Sequence, residues 1–196
     1  MARGPQAKPD FAAQPRGART AAFETAVLSH LSAAYTLARY LTRRGDSAED
    51  IVQEALLRAY RSFEDQRVEN LRAWLLTIVR NCFLTWKARD SGGPDFEAGT
   101  AQIQEVQEGG QARDTPESIL IQQEESCAIR AVIEGLPHLF REVLVLRDIE
   151  DMSYREIAEI TGVPIGTVMS RLARARKMFA AAWAGSERNA SKEMAP

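Results

Sequence analysis

Large apolar side chains in this chain recur at intervals of three and four residues and nowhere alternate with polar ones. That spacing follows the 3.6-residue turn of an α-helix and argues against half-buried strands, whose period is two. Phe23, Val27, Leu31, Ala34, Ala38 and Leu41 trace one stripe. Gly45 is expected to stop that helix, and Ser47 to cap the next, with Asp50 three residues on in the manner of a capping box. The second helix carries Ile51, Val52, Ala55, Leu56, Ala59 and Phe63 on one side. A third begins near Asn70, with Leu71, Trp74, Leu75, Ile78, Val79, Cys82 and Trp86. Apolar periodicity returns near Ile119 in segments of about 119–134, 138–147, 153–160 and 165–183. The expected fold class is all-α, without the internal repeat of a solenoid.

One stretch interrupts the pattern. SGGPDFEAGTAQIQEVQEGGQARDTPES, from Ser91, holds five glycines and two prolines, and between Ser91 and Glu125 eight acids face the single base Arg113. Such a composition buries too little apolar surface to order itself, so it reads as a flexible acidic linker. The chain therefore divides into two small helical domains, 21–90 and 119–184, joined by a linker at 91–118, with a basic tail at 1–20 and a second tail at 185–196. With 196 residues, 45% hydrophobic and 27% charged, the class is a soluble globular protein. No apolar run approaches the ~20 residues of a membrane span, and the first residues lack the apolar core of a secretory signal. Cys82 and Cys127 lie too far apart in sequence to suggest a disulfide framework. A cytoplasmic location, with reduced thiols and no insertion into a membrane, is the expectation.

The formal net charge is −2, yet residues 162–177, GVPIGTVMSRLARARK, carry Arg171, Arg174, Arg176 and Lys177 and no acid. The segment SYREIAEITGVPIGTVMSRLARARKMF reads as a helix-turn-helix. Ser153 caps its first helix with Glu156 completing a capping box. Gly162 suits a left-handed helix end, and Pro164 is tolerated where the second helix begins. On that second helix Val168, Leu172, Ala175 and Phe179 form the core stripe. Thr167, Ser170, Arg171 and Arg174 share another face, suited to base edges and phosphates in a major groove. Arg176 and Lys177 are placed for backbone phosphate. The plainer alternative is a solvated basic helix end favoured by the helix dipole.

The first domain sharpens this. DSAEDIVQEALLRAYRSF (46–63) resembles the polymerase-binding helix in region 2 of bacterial sigma-70 family factors, most nearly those of the short extracytoplasmic-function (ECF) group. NLRAWLLTIVRNCFLTWKARD (70–90) is similar to the part of region 2 that melts and reads the −10 element, and residues 136–179 are similar to region 4. The resemblance covers roughly 21–90 and 119–183 and implies a dissociable initiation subunit of RNA polymerase. Such a subunit would bind the core enzyme and open promoter DNA at the −10 element through region 2, and read the −35 element through region 4. It also implies an anti-sigma factor as partner. Met169 stands where many ECF members carry a basic residue, and Ala173 is small where bulkier residues are common.

The residues add their own reading. Asp50, Gln53 and Glu54 share a helix face with Leu57, an apolar anchor in a charged rim that suits a protein interface, and the resemblance implies that the core-polymerase contact lies here; the alternative is that Leu57 packs on a neighbouring helix. Arg80, Asn81, Trp86 and Lys87 are the candidates for −10 DNA: cations for phosphate, an aromatic for stacking, and a carboxamide able to pair with a flipped base. The resemblance places Asn81 at the family's base-accepting position. Trp74, within the apolar stripe, reads as core.

Catalysis, cofactor and metal find no support. His30, His138, Cys82 and Cys127 are dispersed and show no ligand spacing, and no phosphate-binding glycine loop or nucleophile elbow is present. The competing function is a helix-turn-helix regulator that does not act as a polymerase subunit; it leaves the 50–54 and 70–86 patterns unexplained.

Overall fold

A computed structural model describes residues 16–63, 70–90 and 116–193. Within these the chain is helical: α1 (Arg16–Leu28), α2 (Leu31–Thr42), α3 (Gly45–Ser62), α4 (Leu71–Asp90), α5 (Pro116–Gly135), α6 (His138–Leu144), a π-helical turn (Val145–Ile149), α7 (Tyr154–Thr161) and α8 (Ile165–Glu193). The described residues contain no strand.

Helices α2, α3 and α4 pack on one another as a bundle. Where α2 meets α3 the buried residues are small, Ala34 and Ala38 against Ala48, Ala55 and Ala59, with Leu37, Leu41 and Ile51 filling the space around them. From α4 the core receives Leu75, Leu76, Val79, Cys82 and Phe83. Phe23 of α1 closes one end, its ring edge-on to Tyr60 and Phe63 with centroids 5.3 Å apart in both pairs.

Three local expectations are corrected. The first stripe is not one helix: the chain breaks at Ser29 and His30, so Phe23 and Val27 belong to α1 and Leu31 starts α2. Gly45 does not stop a helix but opens α3; the reversal is made by Arg43, left-handed at φ 64°, whose N–H bonds to the Arg39 carbonyl. Ser47 consequently sits inside α3 rather than at its cap, and Arg44 takes that place without a side-chain bond. The Thr42 hydroxyl accepts the N–H of Arg44 itself at 3.3 Å, while the first turn of α3 keeps no side-chain cap. At α4 the expected start holds, and Asn70 Oδ1 accepts the Ala73 N–H at 3.0 Å, a working N-cap.

In the second half, Val143 to Leu146, Met152, Ile157, Ile160, Val168, Leu172 and Ala175 form the core. Ser153 and Glu156 make the reciprocal capping box: Glu156 N–H to Ser153 Oγ at 3.3 Å and Ser153 N–H to Glu156 Oε2 at 2.7 Å. Gly162, at φ 67°, ends α7 with its N–H on the Ala158 carbonyl. Pro164 lends its carbonyl to the first donors of α8, Thr167 N–H at 2.8 Å and Val168 N–H at 3.1 Å. The acidic linker and the tails fall differently from the sequence reading where they are described: α5 takes in 116–118, α1 starts at Arg16, and α8 continues past 184 to Glu193. The rest of those segments, 1–15, 91–115 and 194–196, lies outside the described residues.

Candidate nucleic-acid and polymerase interfaces

The outer face of α3 is set by the buried stripe Ile51, Val52, Ala55 and Ala59 beneath it. Asp50, Gln53 and Glu54 are exposed on that face, and Leu57 among them is 54% exposed. Glu54 accepts from Arg58 Nε at 2.7 Å one turn on. An uncovered leucine within a polar rim is the arrangement of an anchor that a partner desolvates.

On α4 the four candidate −10 residues are not equivalent. Asn81 is exposed. Trp86 is half-buried and lies over Phe83, centroids 6.1 Å apart at 30°. Lys87 Nζ stands 3.1 Å from His138 Nδ1. Arg80 donates from Nε to Glu142 Oε1 at 2.6 Å. On α8, Ser170, Arg174, Arg176 and Lys177 are exposed while Thr167 and Arg171 are half-buried. The Ser170 hydroxyl donates to the Thr167 carbonyl at 3.0 Å. Arg176 grips Asp148 with two bonds, Nη2 at 2.6 Å and Nε at 3.1 Å.

Sequence reasoning missed what joins the halves. Along α4, Asn70, Arg72 and Arg80 meet Glu156, Glu150 and Glu142 in reverse order. The α2 side adds Arg39 to Glu134 at 2.8 Å, and Arg141 reaches back to the Tyr40 carbonyl at 3.1 Å. The π-helical turn contributes to this pairing. Its wider loop, closed by Glu150 N–H to Val145 O at 3.0 Å, carries Glu150 inward to Arg72 while Asp148 faces outward to Arg176.

Glu142 is the deepest of these acids, 2% exposed, and its Oε2 has no hydrogen-bond partner among the described residues. Burial pushes its carboxyl up from the ordinary value, against the opposing pull of Arg80 and, more weakly, of Arg171 on the recognition helix. Burial likewise raises Glu134, although Arg39 and Arg130 oppose it. Glu156 moves the other way, because its bonds with Ser153 favour the ionised form. A signal for Glu142 did exist: it and Arg141 are the two charged residues set within LFREVLVL, a run whose other six members are apolar. Among the described residues no cluster of His, Cys, Asp or Glu is arranged to hold a metal ion, and no helix is long and apolar enough to cross a membrane.

Comparison with known proteins agrees with this layout. The Sigma-70 region 2 family model matches residues 26–92, and the Sigma-70 region 4 model matches 128–179. The ECF RNA polymerase sigma-E factor of Haemophilus influenzae is 36% identical over 147 residues, 73% of this chain and 77% of its own. The RNA polymerase sigma-H factor of Pseudomonas aeruginosa is 32% identical over 161 residues, 80% of this chain and 83% of its own. Among solved structures, the sigma factor RpoE of Bartonella quintana, in complex with the anti-sigma factor NepR, superposes with a TM-score of 0.63 at 27% identity, covering 81% of this chain and 94% of that one. With two ordered regions matched and relatives of this similarity, the chain belongs to the sigma-70 family of RNA polymerase sigma factors, in its ECF group.

Proposed function

We propose that this chain is a dissociable promoter-specificity subunit that recruits core RNA polymerase. In this reading Asp50, Gln53, Glu54 and Leu57 contact the polymerase core. Arg80, Asn81, Trp86 and Lys87 engage the −10 element, with Asn81 pairing to the edge of an extruded base. Thr167, Ser170, Arg171, Arg174, Arg176 and Lys177 engage the −35 element from α8. Residues 21–90 and 119–184 carry the two functional domains, joined through 91–118, with helices α1, α5 and α8 running past those bounds. The chain is not itself an enzyme and needs no cofactor, since nucleotide chemistry belongs to the polymerase. It works in the cytoplasm. An anti-sigma factor is its regulatory partner, a role supported by the complex of RpoE with NepR.

The observation that carries this reading is the ordered pair of region 2 and region 4 matches, each ending in a helix with exposed polar side chains. One geometric consequence follows. The −35 and −10 elements are about 25 base pairs apart, or about 85 Å of duplex at 3.4 Å per pair. Here Arg80 of the −10 surface is 2.6 Å from Glu142, which in turn feels Arg171 of the −35 surface. The packing described is thus a resting arrangement, and promoter reading requires α4 to leave α6 and α7. Run-off transcription from genomic promoter fragments tests the whole assignment. Core polymerase with the chain should give discrete starts that core polymerase alone does not; identical products with and without the chain would reject it and favour a regulator acting alone.

A further inference from the structure

The recognition helix presents DNA with an unusual surface. With Val168, Leu172 and Ala175 buried beneath, the exposed positions of its first two turns are Ile165, Gly166, Met169 and Ser170, with Ala173 and Arg174 exposed just beyond. Ile165, one turn before Met169, is 44% exposed and Met169 is 52% exposed, so the two form an apolar patch at the leading end of the helix. Neighbouring polar groups are already engaged or recessed. Thr167 and Arg171 are half-buried, Ser170 bonds back to the Thr167 carbonyl, and Arg176 is held by Asp148. Arg174 and Lys177, the exposed cations, lie farther along, where phosphate is the nearer partner.

A major groove offers hydrogen-bond donors and acceptors and one apolar group, the C5 methyl of thymine. An apolar patch flanked by cations on a groove-entering helix matches that group. The long, unbranched thioether of Met169 adapts its shape to a methyl. Ala173 beside it is short, and a Cβ at Gly166 would meet nothing within 4 Å, so among the described residues nothing covers the helix surface at Gly166.

We propose that Met169, with Ile165 beside it, is a specificity-determining residue that packs on the C5 methyl of one or two adjacent thymines in the upstream promoter element. This rests on the reading of α8 as the −35 helix. Upstream preference under the first two turns is then carried by thymine methyls rather than by guanine edges.

The test uses the full chain with core polymerase and a duplex whose upstream thymines are replaced one at a time by uracil, which removes the methyl and nothing else. Wild type should lose roughly fourfold in affinity, the worth of one buried methyl, at one or two positions. Met169→Ala should bind the thymine and uracil duplexes alike at those same positions. Two results would overturn the inference alone: retained dependence on the upstream element with indifference to uracil everywhere, or a Met169→Ala variant as uracil-sensitive as wild type. If the intact thymine duplex shows no upstream-element dependence at all, the groove reading of α8 fails and this inference fails with it. Because Met169 is exposed, its replacement does not disturb the core, and the uracil series on wild type needs no variant.

Discussion

Leu57 and Glu142 are opposite kinds of exception, one an apolar side chain in water and the other a carboxylate in the core. Truncating a buried leucine removes roughly 2–5 kcal/mol of stability. Leu57 is 54% exposed, so Leu57→Ala should shift the melting temperature by no more than ~2 °C. Its affinity for core polymerase should nevertheless fall by about tenfold or more, as for an interface anchor. Paired melting and core-titration measurements decide the matter: a large melting shift with unchanged core affinity would show a structural leucine. For Glu142 the sign of the pH effect follows from its raised pKa. The folded chain holds this proton more tightly than the unfolded chain does. The contribution of Glu142 is therefore most favourable below the unfolded value and is lost as pH rises through the folded one. Relative to Glu142→Gln, wild type should gain stability as pH falls from neutrality into that range. Parallel melting-temperature curves for the two proteins would contradict the burial of a charged carboxyl here.

Single elements show where sequence was legible. The capping box of Ser153 and Glu156 and the left-handed Gly162 were readable, because caps act through neighbours three or four residues away. Gly162 yields a prediction at this scale. No atom crowds a Cβ there, so Gly162→Ala should cost about 1–2 kcal/mol through its positive φ alone. That corresponds to a melting decrease of about 2–8 °C, whereas an unchanged melting temperature would mean that the turn relaxes freely. Illegible elements depended on distant contacts. The break at Ser29 and His30 lets Phe23 turn onto Tyr60 and Phe63, and no local pattern announces it. The start of α3 was misplaced because Arg43, not a glycine, supplies the left-handed residue. Among candidate site residues, the exposure of Asn81 and Leu57 was legible from helical phase. The engagement of Arg80 was not, since its partner lies 62 residues away and follows no period.

At the scale of the molecule, glutamates of the second half occupy cations of the first: Glu142 on Arg80, Glu150 on Arg72, Glu134 on Arg39. Neutralising part of this face should open the chain. A Glu134→Gln, Glu150→Gln double variant, which leaves the Glu156 cap intact, should show a larger radius of gyration by small-angle scattering. It should also bind a single-stranded −10 oligonucleotide several-fold more tightly in the absence of polymerase, since freed cations are available to phosphate. An unchanged radius and unchanged affinity would mean that apolar packing alone joins the halves. Because these glutamates and arginines belong to one polypeptide, the glutamates would act, on the reading proposed above, as a tethered competitor. Their effective concentration is on the order of millimolar and does not fall when the protein is diluted. On that reading, abundance alone would not set this protein free to act, since a rise in its copy number raises decoy and reader together. The threshold would be written into the chain, to be crossed by a partner that takes hold of one half and leaves the other without its counter-charge.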